Sequence, residues 1–101
     1  MAGMSLALTP RQRSLLKARA HALEPVVQIG AAGASDTVIA EVDRSLTAHG
    51  LIKVRLAGAD RDARETLVET LCARTGAVAV QRVGRVVVLW RPRPDDEPLE
   101  R

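Results

Sequence analysis

The residues best placed for chemistry are two glycines three apart, Gly30-Ala31-Ala32-Gly33. They follow an apolar run, Val26-Val27-Gln28-Ile29, and precede a helical pattern that begins near Ser35. Glycine frees the backbone at both ends of such a loop, and only methyl groups stand between. The main chain can therefore come very close to a partner. The first N–H groups of the following helix point the same way, and their natural ligand is an anion such as phosphate. A lone Gly-x-x-Gly is a common pattern, so its surroundings must decide its meaning.

Those surroundings are basic. Arg13, Lys17 and His21 recur at i, i+4 and i+8 on one side of the first helical segment. Lys53 and Arg55 share one face of an alternating strand. Arg82 and Arg85 fall at the tip of a hairpin, and Arg91 and Arg93 close the last strand. Any one of these reads better as an ordinary surface charge. Together with the loop they form a candidate face for a polyanion.

The net charge of +3 hides an uneven distribution. From Asp95 onward four acids face one arginine, which leaves 14 bases against 8 acids in residues 1–94. A basic body with a short acidic end suits a polyanionic partner. An arginine-rich soluble protein from a GC-rich genome would look the same by charge alone. Trp90 is the only aromatic residue, so a platform of aromatics for stacking bases is excluded.

Enzyme chemistry needs converging groups, and the sequence offers none. His21 and His49 are the only histidines, and neither has a partner at metal-ligand spacing. The acids Asp36, Glu41, Asp43, Asp62, Glu65 and Glu69 read as solvated helix exteriors. No Gly-Lys-Ser/Thr follows the loop, and the third glycine of a dinucleotide fingerprint is missing. No catalytic residue, cofactor or metal is expected. The single Cys72 reads as a small core residue. The start of the chain lacks a signal-peptide pattern and no window is apolar enough for a membrane span, so a cytoplasmic protein is expected.

The elements that must position these residues are legible from capping and periodicity. Thr9-Pro10-Arg11-Gln12 forms a capping box with proline at the first helical position, and that helix runs to about Ala22. Leu16, Ala20 and Leu23 form its apolar stripe. Val26–Ile29 is a short strand. A second helix spans Asp36 to His49, capped by Ser35 or Asp36 and stopped by Gly50. Leu51–Leu56 is a strand with Ile52, Val54 and Leu56 inward. Gly58-Ala59-Asp60 is a turn and cap, and a third helix runs from Arg61 to about Thr75 with Ala63, Leu67, Val68, Leu71 and Cys72 inward. Gly76 ends it. Strands Ala77–Val83 and Val86–Arg91 meet at Gly84-Arg85, with glycine first as a type II′ turn requires.

The order α-β-α-β-α-β-β implies an α/β chain of two layers (α+β) with a four-stranded mixed sheet. Its first three strands run parallel and the last runs antiparallel to the third. Residues 1–8 are expected to be a flexible start, 9–93 one domain, and 94–101 an acidic disordered tail. At 101 residues such a domain buries roughly 60–70% of its unfolded surface, enough for an aliphatic core.

One set of stretches is specific in its order and spacing. It comprises Leu16-Lys17, Ala20-His21, Pro25-Val26-Val27, Gly30-Ala31-Ala32-Gly33, Leu51-Ile52-Lys53-Val54, Gly84, and Trp90-Arg91-Pro92. It resembles the CRM domain family, the chloroplast RNA splicing and ribosome maturation domain, in its single-domain bacterial YhbY-like form. The resemblance covers Leu8 to Pro92. It implies a fold similar to the C-terminal domain of translation initiation factor 3. It also implies RNA binding at Gly30, Ala31, Ala32 and Gly33, with Lys17, His21 and Lys53 around them; a monomer is expected. The partner it implies is ribosomal RNA of the large-subunit precursor, with ribosome assembly as the role. A module docking on a ribosomal protein and a general nucleic-acid chaperone are the alternative readings.

Two departures from that family stand out. Many members carry a polar or basic residue inside the glycine loop, where this chain has Ala31-Ala32. Gly50 stands where an acid usually precedes the Leu-Ile-Lys-Val run.

Overall fold

The computed structural model describes residues 8–30, 32–57 and 60–93. The expected flexible start (except Leu8), the acidic tail, Ala31 and the Gly58-Ala59 turn lie outside them. Seven elements follow in the order expected: α1 (Pro10–Ala20), β1 (Pro25–Ile29), α2 (Asp36–His49), β2 (Leu51–Leu56), α3 (Arg61–Thr75), β3 (Val78–Val83) and β4 (Val86–Trp90).

Local chemistry sets the boundaries. The Thr9 hydroxyl accepts from the Gln12 N–H at 3.0 Å, and the Gln12 side chain accepts from the Thr9 N–H at 3.0 Å, closing the capping box. Ser35 and Asp60 cap α2 and α3 by accepting from Val38 and Ala63. Gly50 and Gly76 end those helices with φ of 77° and 78°, where a side chain would be strained. Gly84 has φ 60° and Arg85 a negative φ, as a type II′ hairpin turn demands.

The sheet order is β1-β2-β4-β3. β1 and β2 pair in parallel, and β4 pairs antiparallel with both β2 and β3. The first three strands thus share a direction, as expected. The last strand does not extend the sheet beyond β3; it inserts between β2 and β3 and makes β3 an edge.

Both faces of the sheet are covered, unequally. Helices α2 and α3 pack on one face over Val27, Ile29, Ile52, Val54, Val87 and Leu89, with Val42, Leu46, Val68 and Leu71 from the helices. Each such aliphatic side chain contributes roughly 1.5–3 kcal/mol by leaving water. Among the described residues the other face carries only α1, where Leu16 and Ala20 pack on Val80 and Val88 with Leu8, Leu51 and Trp90 at the margin. Leu8 therefore joins the domain. Leu23 lies beyond α1 and is 37% exposed rather than buried, so the apolar stripe of that helix is shorter than the spacing predicts. Ala63 is exposed as well, in the first turn of α3.

Candidate nucleic-acid interface

α1 has eleven residues and cannot cover its face of the sheet. Its start is tied to β3, because the Arg13 guanidinium donates to the carbonyls of Val80 at 2.6 Å and Ala79 at 3.2 Å. Its end leads through the short link 21–24 into β1 at Pro25. The helix therefore crosses the sheet over the margin marked by Leu51, Val80, Val88 and Trp90. Beyond it, Gln28 and Arg55 are exposed and Lys53 is half-buried.

The register explains which side chains share that open area. Ile52, Val54 and Leu56 point into the larger core, so Lys53 and Arg55 point to the α1 face. Arg55 pairs with Gln28 of β1 and Val86 of β4, and Lys53 pairs with Val88. Arg55 is exposed and Lys53 is half-buried. Lys17 on α1 and His21 at its C-cap are exposed, on the flank away from Gln12 and Arg19 by helical spacing. Lys17, His21, Lys53 and Arg55 therefore belong to one side of the molecule.

The glycine loop leaves the end of β1 beside this group. The Ala57 N–H donates to the Ile29 carbonyl at 2.9 Å and fixes the two strand ends together. The Gly33 N–H donates to the Gly30 carbonyl at 3.0 Å, and the Ser35 N–H to the Gly33 carbonyl at 2.9 Å. The loop is thus a closed turn, and those two N–H groups are occupied internally. Asp36 sits at the first position of α2 and pairs with Arg74 at 3.5 Å. A carboxylate there opposes an anion at the helix start, so the loop offers shape and close approach more than a phosphate cradle.

The two glycines differ in what the fold asks of them. Gly33 has φ 76°, which favours glycine. Gly30 has no positive φ, and a Cβ built on it would meet nothing within 4 Å. Neither backbone geometry nor packing requires a glycine at position 30.

The remaining basic candidates are placed elsewhere. Arg13 is the anchor described above. A register shift between Ala79 and Gln81 pairs Gln81 with Val88 and Arg82 with Val87. That shift turns Arg82 to the α3 face, where it forms an ion pair with Glu65. Arg91 also faces α2 and α3; it donates to Asp43 Oδ1 at 2.6 Å, the Thr75 carbonyl at 2.7 Å and Thr47 Oγ1 at 2.9 Å. Arg85 is exposed at the hairpin tip. Sequence spacing missed Arg61 and Arg64, which line a cleft of about 420 Å³ with Arg82 and Gly84 on the α3 face. Their helical positions alone read as exterior charge.

Burial pushes the Cys72 thiol up, a shift that the Ala79 backbone and Arg82 partly offset. A thiol held neutral in this way is a packing group. Among the described residues no group of three or more His, Cys, Asp or Glu side chains could hold a metal ion. Among them, too, no helix is long and apolar enough to cross a membrane.

Comparison with known proteins identifies the fold and its family. A Haemophilus influenzae protein named "RNA-binding protein" is 41% identical over 84% of this chain and 86% of its own length. A Pseudomonas aeruginosa protein named "Probable RNA-binding protein" is 39% identical over 88% of this chain and 86% of the relative. The solution structure of a Staphylococcus aureus protein, described as a candidate RNA-binding protein, superposes with a TM-score of 0.78 at 32% identity. That match covers 90% of this chain and 95% of the other. The family model for the CRS1/YhbY (CRM) domain matches residues 8–91, almost the whole described fold. This chain therefore belongs to the CRS1/YhbY (CRM) domain family.

Proposed function

We propose that this protein binds structured RNA in the cytoplasm and assists assembly of the large ribosomal subunit, without catalysing a reaction. The contact face consists of Lys17, His21, Lys53 and Arg55, with the Gly30–Gly33 loop at its edge. The observation that carries this reading is Gly30: the fold does not need it, and it stands beside the open basic strand face. A small residue there serves close approach by a partner. The names of the relatives support RNA as that partner. The ribosomal assignment rests on the family resemblance.

Phosphate and ribose contacts fit this face better than base reading, because A-form helices expose backbone and 2′-hydroxyls. Competition between large-subunit ribosomal RNA and duplex DNA of equal length tests the reading. Preference for the RNA supports it, and equal binding points to a general nucleic-acid chaperone. Pull-down of ribosomal proteins that survives nuclease treatment points instead to a protein-docking module.

A further inference from the structure

We infer that a second site, on the opposite flank of α1, takes one unpaired nucleobase of the RNA by stacking on Trp90. The inference rests on RNA being the ligand of the first face. A cavity of about 1010 Å³ opens between the α1 flank bearing Gln12 and Arg19 and the ends of β2 and β4. Leu16, Leu51 and Trp90 form its apolar floor, and Arg19, His49 and Arg93 stand at its rim. Glu24 is the one acid lining it among the described residues.

Composition excludes an aromatic platform but not a single aromatic surface. The only aromatic side chain is partly exposed, and it lies in this cavity. Arg93 is held in position by the Ala48 carbonyl at 2.6 Å. An apolar floor with one indole and a mostly basic rim matches a base whose own phosphates reach the rim. A duplex cannot present a base in this way, since its bases are stacked inside. The occupant is therefore an unpaired nucleotide next to a helical segment that lies on Lys53 and Arg55. α1, with Arg11, Lys17 and Arg19 exposed, separates the two sites.

Trp90 is the sole tryptophan, so intrinsic fluorescence reads this cavity directly. The full chain is titrated with a short oligoadenylate, with an abasic oligomer of the same length, and with a blunt RNA duplex carrying a label for anisotropy. Saturable quenching by oligoadenylate and none by the abasic oligomer is the expected result. Trp90→Leu then weakens oligoadenylate binding about tenfold. Arg19→Glu, a change at an exposed position that leaves the core intact, weakens it several-fold. Duplex binding without quenching by oligoadenylate overturns the second site and leaves the first face standing. Quenching by the abasic oligomer equal to that by oligoadenylate overturns base stacking. Failure of every probe to bind overturns both sites.

Discussion

Arg91, at the end of β4, reaches across the larger core's rim to Asp43 of α2, with Nη1 2.6 Å from Oδ1. The same guanidinium takes the Thr75 carbonyl near the end of α3, so one side chain ties three elements together. Its side chain is 22% exposed, against 53% for Asp43, so the bonds to backbone carbonyls matter more than the ion pair. Arg91→Ala is expected to lower stability by about 2 kcal/mol, and Arg91→Lys to restore little, because a single ammonium cannot reproduce the planar fork. Chemical denaturation measures this. RNA affinity of the folded variant should stay unchanged, which separates a brace from a contact.

Ala32 is exposed in the closed loop turn. Ala32→Asp adds a negative charge there without disturbing φ, and RNA affinity should fall several-fold while the melting temperature holds. Gly33 behaves differently. At φ 76° any side chain is strained, so Gly33→Ala should cost about 1–2 kcal/mol of local stability in addition to any binding effect. Thermal melts run beside RNA titrations separate the two contributions. Gly30→Ala should leave stability within the error of the melt, because a Cβ there enters open space.

Helix ends, glycine stops and the hairpin turn were legible in the sequence because each depends on a few adjacent residues. The insertion of β4 between β2 and β3 was not. The Gly84-Arg85 turn fixes only that β3 and β4 are neighbours. Which of them joins β2 depends on burying Val87 and Leu89 under the helices, a tertiary effect. The same limit applies to the basic residues. Strand alternation put Lys53 and Arg55 on one face, as the structure has them. Arg82 looked like part of the hairpin crown, but the register shift before Gln81 turns it to Glu65. Arg13 and Arg91 find backbone carbonyls far away in sequence, which spacing along the chain cannot reveal.

Cys72 supplies a prediction about pH. Its thiol is raised chiefly by desolvation, so the folded state favours the neutral form. The stabilisation from this group is fully present below the thiol's unfolded pKa and is lost as pH rises through the folded one. Alkylation with iodoacetamide near neutral pH should be much slower in the native protein than in denaturant. Equal rates would place the thiol in water and contradict its packing against the core.

The central claim is that RNA phosphates lie against Lys17, Lys53 and Arg55. Its most direct test is the slope of log affinity against log salt for duplex RNA, in the native protein and in Lys17→Ala, Lys53→Ala and Arg55→Ala variants. Removing one of these cations should make the slope shallower by roughly one unit, because fewer counterions are released. Arg91→Ala serves as the control and should keep the native slope. Slopes unchanged across all three variants would contradict the account and move the interface to another surface.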